Sequence, residues 1–523
     1  MKTIFAVNGP DLCPELFSYF PKSNVVHFDS VADLLLHLYT NRISGANTYE
    51  RTLSLVIHQQ PKRRGRSKPV GLQSSPASDA VLNKITTAEL SHLIQKQFPT
   101  FSLSVTTPTD ASKAVAHLLE REQLYSNRLV RVATWMYNDY VGSNEPYTGH
   151  ESRPAAHSHA NHDSYSPTCS ANVYTMLSHL TRVRKRRKDQ DSSFPSSKLI
   201  SSALDLRKLI NIPKDKLSSD HYWNLISTWD FCATSLSTSE LIWCSFLILK
   251  KVAQDAGFEI SDNNLFLFLL TVETSYHQGN KFHNFRHAVD VMQATWQLCC
   301  QLEARFKKSS SILLVCVAAI GHDVGHPGTN NALMCDPLSP VAQLYNKSSV
   351  LENFHTEIFS DLLQEHWPQI LEEQSILSDT ILATDMALHS QYVEQMDAGP
   401  SEQPNLLALV IKAADISNVT RPLHISTKWA VLITCEFNEC AALLKRIKGN
   451  DTYESYMPEC EEPMPDCVES ILIKYPSIPQ GQLMFINAFA ECLFAGLAEC
   501  FQELKFLHNN VKANKKFWEG KCK

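Results

Sequence analysis

Apolar positions follow two different spacings along this chain, and the spacing changes near residues 140–195. Before that point, short apolar runs alternate with runs of helical period. "KTIFAV" (Lys2–Val7), "NVVHFD" (Asn24–Asp29), "TLSLVIHQ" (Thr52–Gln59) and "FSLSVTT" (Phe101–Thr107) predict buried strands. Between them, "LCPELFSYF", "VADLLLHLYTNR", "TAELSHLIQKQF" and "ASKAVAHLLEREQ" predict amphipathic helices. Strand–helix alternation of this kind makes residues 1–140 a small three-layer α/β domain with a parallel sheet. A receiver-like fold is one form of that arrangement. It would carry a phosphoacceptor aspartate at the end of the third strand, and "SLVIHQQP" has none, which favours a docking domain without that signalling role.

From about Ser218 onward the helical period hardly breaks, as in "SELIWCSFLILKKVAQDAG" and "NNLFLFLLTVETSYHQ". Residues 216–515 are therefore expected to form one large all-helical domain. The fold class is multidomain, α together with α/β, with a polar, basic linker at 141–215. Two basic runs, Lys62–Lys68 and Arg182–Lys188, read as solvated segments or as nuclear-import signals. "HSHANH" (His157–His162) has metal-like spacing but sits in polar, linker-like sequence.

Bulk properties narrow the classes. The 523 residues carry a net charge of only −6, which argues against a dedicated nucleic-acid binder. No stretch reaches the ~18 consecutive apolar residues of a spanning helix, so no membrane partner is expected. The first residues lack a signal-peptide core. The 15 cysteines are scattered and show no CxxC pair of zinc-finger spacing, which suggests reduced thiols and a cytoplasmic protein. Nuclear entry is a second reading if the basic runs act as signals.

Four polar clusters interrupt the apolar background of the helical part. "HNFRHAVDV" places His283 and His287 four apart, on one face of a helix. "GHDVGHPGTNN" brings His322, Asp323 and His326 to the end of the apolar run "SSILLVCVAAI". "ILATDMALH" contains Thr384 and Asp385, and in "LVIKAADISN" Asp415 again ends an apolar run. Unpartnered burial of such groups is costly, and a divalent cation is an efficient partner. Taken singly, each has a plainer reading: a satisfied histidine pair, or Asp385 as a helix N-cap. Their conjunction in one domain favours a dinuclear metal site, with Asp323 able to bridge two ions.

"HNFRHAVDV", "HDVGHPGTNNAL", "SSVLENFH", "LATDMALH" and "AADISN" occur in the order and spacing of the class I cyclic nucleotide phosphodiesterases, which the chain resembles from about Ser218 to Phe506. In overall length and simplicity it is most like the fungal high-affinity cyclic AMP enzymes. The resemblance implies an HD-type helical catalytic domain. It puts the zinc ligands at His287, His322, Asp323 and Asp415. It assigns a second ion, magnesium or manganese, to Asp323, with waters held by His326, Glu352, His355, Thr384 and Asp385. His283 matches the general acid and Glu436, in "TCEF", its carboxylate partner. In "GQLMF", Gln482 and Phe485 match the purine-binding glutamine and the stacking phenylalanine. Asn418, Ile433, Phe437 and, more weakly, Tyr345 match other pocket positions. Two positions depart from the pattern. Phe282 stands where many members have Tyr, and Gly325 where "HDxDH" members have an acid.

The implied reaction is hydrolysis of 3′,5′-cyclic AMP to 5′-AMP. A hydroxide held between the two ions attacks phosphorus, and His283 protonates O3′. Cyclic GMP or dual specificity, another HD-type metallophosphohydrolase, and an inactive nucleotide-binding scaffold are the alternatives. The purine clamp speaks against the second, and the full set of matched ligands against the third.

Overall fold

The computed structural model describes residues 3–12, 14–20, 24–45, 54–60, 82–101, 103–119, 196–212, 220–335, 340–397, 406–447, 464–465 and 467–522. The two basic runs and "HSHANH" lie outside the described residues.

The N-terminal lobe is built on β1 (Thr3–Val7), β2 (Val25–Phe28), β3 (Ser54–His58) and β4 (Leu103–Thr106), all parallel, in the order β2-β1-β3-β4. Register is set by pairs such as Ile4 with Val25 and Leu55, because β1 and β3 are buried on both faces. Ile4, Leu55 and Ile57 face Leu16, Phe20, Ala111 and Val115. Phe5, Val7 and Val56 face the other way, into α1 (Val31–Ile43) and α2 (Thr87–Gln97). Helix α3 (Ala111–Leu119) completes the three layers on the first face. Ser30 caps α1 by accepting from Asp33 N, and Thr86 with Glu89 forms a capping box on α2. "LCPELFSYF" differs from its expected helix. Only Pro14–Ser18 coils, as a 3₁₀ turn, which suffices to seat Leu16 and Phe20 on the sheet.

The helical part opens with α4 (Ser196–Ala203), α5 (His221–Ile226), α6 (Thr238–Asp255), α7 (Asp262–Ser275), α8 (Phe285–Gln301) and α9 (Ser309–Gly321). It continues with α10 (Asn331–Cys335), α11 (Pro340–Leu344), α12 (Val350–His366), α13 (Gln374–Leu382), α14 (His389–Asp397) and α15 (Leu406–Asp415). The last five are α16 (Leu423–Ile447), α17 (Val468–Lys474), α18 (Ile478–Phe485), α19 (Glu491–Cys500) and α20 (Lys505–Lys521).

The expected linker at 141–215 is packed structure at its far end. In 204–212, Leu204, Leu206, Ile210 and Ile212 are buried, and Asn263 of α7 bonds Ser201 O, Leu204 O and Leu206 N. The helical part also runs past 515, since Trp518 of α20 is fully buried. Nor is the lobe a separate body: its α1–α2 face belongs to the same apolar core as the helices. Gln97 and Thr100 bond Thr271 and Thr274 of α7, with Thr274 donating to Gln97 O at 2.5 Å and Thr100 to Thr274 O at 2.8 Å.

Among the described residues, one helical run, Ile478–Cys500, is long and apolar enough by length and composition to cross a membrane, although its apolar residues are not consecutive. It buries Leu493, Phe494 and Leu497 and packs along α20.

Candidate active site

Each of the four polar clusters sits at a helix terminus or on one helix face. Asn284 caps α8 by accepting from Arg286 N and His287 N, so His283 precedes the helix and His287 lies in its first turn. After three serines, helix α9 is apolar from Ile312 and buried from Leu313 to Gly321. A Cβ there would stand 2.3 Å from the Phe359 ring, so only glycine lets α9 approach α12 and release the chain at His322. Asp323, His326 and the positive-φ Gly325 follow in a tight turn. Glu352 and His355 share one face of α12, Thr384 and Asp385 follow α13, and Asp415 ends α15.

These ends converge. His287 Nε2 and His322 Nε2 lie 3.2 and 3.3 Å from Asp415 Oδ1, and 3.6 and 3.2 Å from Asp323 Oδ2. His355 Nε2 lies 3.7 Å from the other oxygen of Asp323. Ligand atoms of His287, His322 and Asp323 fall within 4.8 Å of one another, as do those of Asp323, His326 and His355. Two buried groups thus share the two oxygens of Asp323.

Tautomers follow from the outer hydrogen bonds. His322 Nδ1 donates to Ala319 O at 2.8 Å and His355 Nδ1 to Val324 O at 2.9 Å. Each therefore turns an Nε2 lone pair inward, and neither Nε2 has a hydrogen-bond partner among the described residues. Burying such acceptors without a partner is costly, and a cation removes that cost. His326 is the reverse: Nδ1 accepts from Gly328 N at 2.9 Å, which leaves Nε2 to carry the proton. Two imidazoles and two carboxylates suit zinc, and the carboxylate-rich surroundings of Glu352 and Asp385 suit a harder ion such as magnesium or manganese.

Charge is concentrated accordingly. Burial alone would raise Asp323 and Asp415, but the neighbouring histidines hold both carboxyls well below the usual range. His322 is drawn upward by the same two carboxylates against its burial, so a divalent cation would take the place of a proton here. His355 is pushed down to about 4, mainly by burial. Glu352 is raised to about 7 by burial and by the charge of Asp385, while Asn331 Nδ2 donates to it at 2.8 Å.

Beside this cluster, His283 Nδ1 donates a short hydrogen bond to Glu436 Oε1. Oε2 of the same carboxylate accepts from Phe282 N at 2.8 Å and His283 N at 3.2 Å. Burial opposes the charged imidazole, yet Glu436 outweighs it and raises His283 to about 9. The ring stacks on His326 at 4.0 Å and keeps some solvent access. A protonated imidazole facing phosphate-binding chemistry is a proton donor.

The remaining expected residues are placed less uniformly. Asp385 Oδ2 accepts from Ser349 Oγ at 2.7 Å, and Oδ1 caps the turn at Ala387 N, so the N-cap reading is also realised. Thr384 Oγ1 donates to Ile381 O at 2.8 Å. Gln482 is buried, and its Oε1 has no partner among the described residues. Phe485, three residues on, is half-buried and packs on Phe489 at 5.5 Å, just before a π-helical turn at Ile486–Ala490. Ile433 is half-buried, and Asn418 Oδ1 accepts from Val419 N. Tyr345 is half-buried after α11, where Ser348 N donates to its carbonyl. Phe437 is exposed and lines a cleft of about 800 Å³ with Leu333, Cys440 and Leu444. No member of the histidine–carboxylate cluster lines that cleft. Gly325 could not be an acid without rearrangement: its φ is +78°, and a Cβ would stand 2.7 Å from Ile358 Cδ1.

Sequence reasoning passed over three residues. Asn331 steadies Glu352, and Lys412, buried in α15, donates to Ala383 O and Asp385 O at 3.0 and 3.2 Å. A single lysine inside the apolar "LVIKAAD" was the available signal. Tyr276 Oη donates to Ile320 O at 3.0 Å and accepts from Asp323 N at 3.4 Å, with nothing in its local sequence to mark it.

Residues 282–511 match the protein family described as 3'5'-cyclic nucleotide phosphodiesterase. The chain is 41% identical, over 96% of its length and 94% of the relative's, to 3',5'-cyclic-nucleotide phosphodiesterase 2 of Saccharomyces cerevisiae. Over 56% of its length it is 26% identical to the mouse high affinity cAMP-specific and IBMX-insensitive 3',5'-cyclic phosphodiesterase 8A, covering 38% of that protein. A crystal structure of yeast caPDE2 superposes with a TM-score of 0.80 at 26% identity, covering both chains fully.

Proposed function

The chain belongs to the 3',5'-cyclic nucleotide phosphodiesterase family and is a phosphoric diester hydrolase, and from that premise we propose that it converts cyclic AMP to 5′-AMP. One observation carries the residue-level reading. The His283–Glu436 pair, the two groups sharing Asp323, and the Gln482 Oε1 that has no partner among the described residues belong to one helical body.

His287, His322, Asp323 and Asp415 would hold a zinc ion. Asp323 with Glu352, His326, His355, Thr384 and Asp385 would hold magnesium or manganese and its waters. Bound there, the two ions supply Lewis acidity toward the phosphate and a water acidified toward neutral pH. The protein's own groups do the rest. His283, kept charged by Glu436, gives its proton to O3′ as the P–O3′ bond breaks. Water adds to phosphorus, leaving a 5′-monophosphate. His326, with its proton on Nε2, orients a water or phosphate oxygen by donating to it. Gln482 bonds the purine edge and Phe485 stacks on its face, a contact typically worth ~1–3 kcal/mol.

Cyclic AMP is preferred over cyclic GMP on the description of the mouse relative named above as cAMP-specific. An amide can present donor and acceptor in either order, so the test is kinetic. Purified full-length protein is assayed on both nucleotides, before and after chelation and metal return. A higher kcat/KM for cyclic AMP and loss of activity on chelation support the reading. Equal or greater efficiency on cyclic GMP refutes the substrate, and activity that survives exhaustive chelation refutes the ions.

A further inference from the structure

Besides Gln97 and Thr100, a buried arginine of the N-terminal lobe grips the end of α7 beside the active site. Arg42 is the penultimate residue of α1, and its side chain is 1% exposed. Its Nε donates to both oxygens of Glu273 at 2.8–2.9 Å, an ion pair in which the acid is 2% exposed. Its Nη2 donates to Glu273 O at 2.9 Å and Tyr276 O at 2.6 Å. These carbonyls end α7, where a cation both satisfies free acceptors and complements the helix dipole.

The same end of α7 braces the turn that carries the candidate ligands. Ser275 O accepts from Gly325 N at 3.0 Å. Tyr276 Oη, fully buried, donates to Ile320 O, the carbonyl before Gly321 and His322, and accepts from Asp323 N. So α9's last turn and the His322–His326 turn hang from Ser275 and Tyr276, and Arg42 holds the carbonyls of Glu273 and Tyr276 on either side of Ser275. The contacts to the turn run to its backbone carbonyls and amides, not to the side chains of His322 and Asp323.

We infer that Tyr276 is a positioning residue for His322 and Asp323, and that Arg42 of the N-terminal lobe acts through it. The lobe is then part of the catalytic apparatus rather than an appended docking module. The inference rests on the assignment of metal ligands to this turn. The physical reason for a large effect is geometric: a displacement of about 1 Å at reacting groups can cost about a hundredfold in rate.

The test uses full-length protein. Tyr276→Phe removes one hydroxyl and no charge. Arg42→Met combined with Glu273→Met removes the clamp without stranding a buried charge. Each is expected to lower kcat by about tenfold with KM within about twofold, and to speed loss of metal to a chelator. Because both act along one chain of contacts, combining them should cost no more than the larger alone. A fall in Tm with kcat and metal retention unchanged overturns the inference, as do effects that simply multiply. If the Arg42/Glu273 variant does not fold, Tyr276→Phe decides by kcat and metal loss alone. Wild-type protein that retains no divalent ion defeats the ligand assignment. The kcat comparison still judges the positioning role separately.

Discussion

Replacing Glu436 by Gln keeps the shape of the side chain and its backbone contacts but removes the charge that faces His283. Glu436 is buried, and its second oxygen already serves Phe282 N and His283 N, so the amide oxygen takes that position and the amide nitrogen faces Nδ1. The wild-type imidazole is raised to about 9 from an ordinary 6.5. Without the carboxylate, burial, which lowers it and is the largest influence, is opposed only by the weaker pulls of Asp323 and Asp415, so His283 falls back toward its ordinary 6.5. That difference is worth about 3 kcal/mol of proton affinity. In a profile of kcat against pH, the alkaline limb should therefore move acidward by at least about two pH units. At pH 7.5 this lowers kcat by about tenfold, while near pH 6 the loss is less than about twofold. Cations beside the imidazole would shift the limbs of both proteins together, so the separation between limbs is the observable. The same coupling stabilises the fold. The folded pKa is raised, so the contribution is complete below pH 6.5 and disappears as the pH climbs through about 9. An alkaline limb that stays in place in Glu436→Gln would refute the acid assignment.

His322→Ala should abolish hydrolysis and release the bound ion, while circular dichroism and the cooperative melt persist. Retained activity removes the ligand assignment. Gln482→Ala should raise KM about tenfold with a smaller effect on kcat, because it deletes a contact made equally in ground and transition states. An unchanged KM for both purine nucleotides would place the base elsewhere. Gly321→Ala drives a methyl into the Phe359 ring, and overpacking of this kind costs about 1–3 kcal/mol. A Tm equal to wild type would show that α9 and α12 can separate there.

Much of the site was legible in local pattern. Helical spacing put His283 and His287 on one helix face, although Asn284 caps α8 between them and only His287 is helical, and the end of the apolar run placed His322 and Asp323 at another helix end. Both are consequences of a 3.6-residue period and of which residues tolerate burial. The central strands β1 and β3 were legible for the same reason, being buried on both faces, whereas the edge strands β2 and β4, also expected to be buried, are only partly so. "LCPELFSYF" shows the limit: its apolar residues mark what is buried, but two anchors on a sheet need only one turn.

Pairing across long separations was legible only through likeness to a family, and in places not at all. His283 and Glu436 are 153 residues apart, and Arg42 and Glu273 are 231 apart. Periodicity says that each lies on an inward face, yet nothing local says which inward face it meets. That choice depends on how whole helices pack, and packing is settled by the summed volumes of the core. The sequence by itself determined the helices, the strands, and a set of titratable residues at buried helix ends. The tertiary structure decided that an arginine from the first hundred residues closes the helix bracing Asp323, and that lobe and helical body share one core. A buried charge needs a partner, and which partner it finds is fixed only when the two surfaces are brought together.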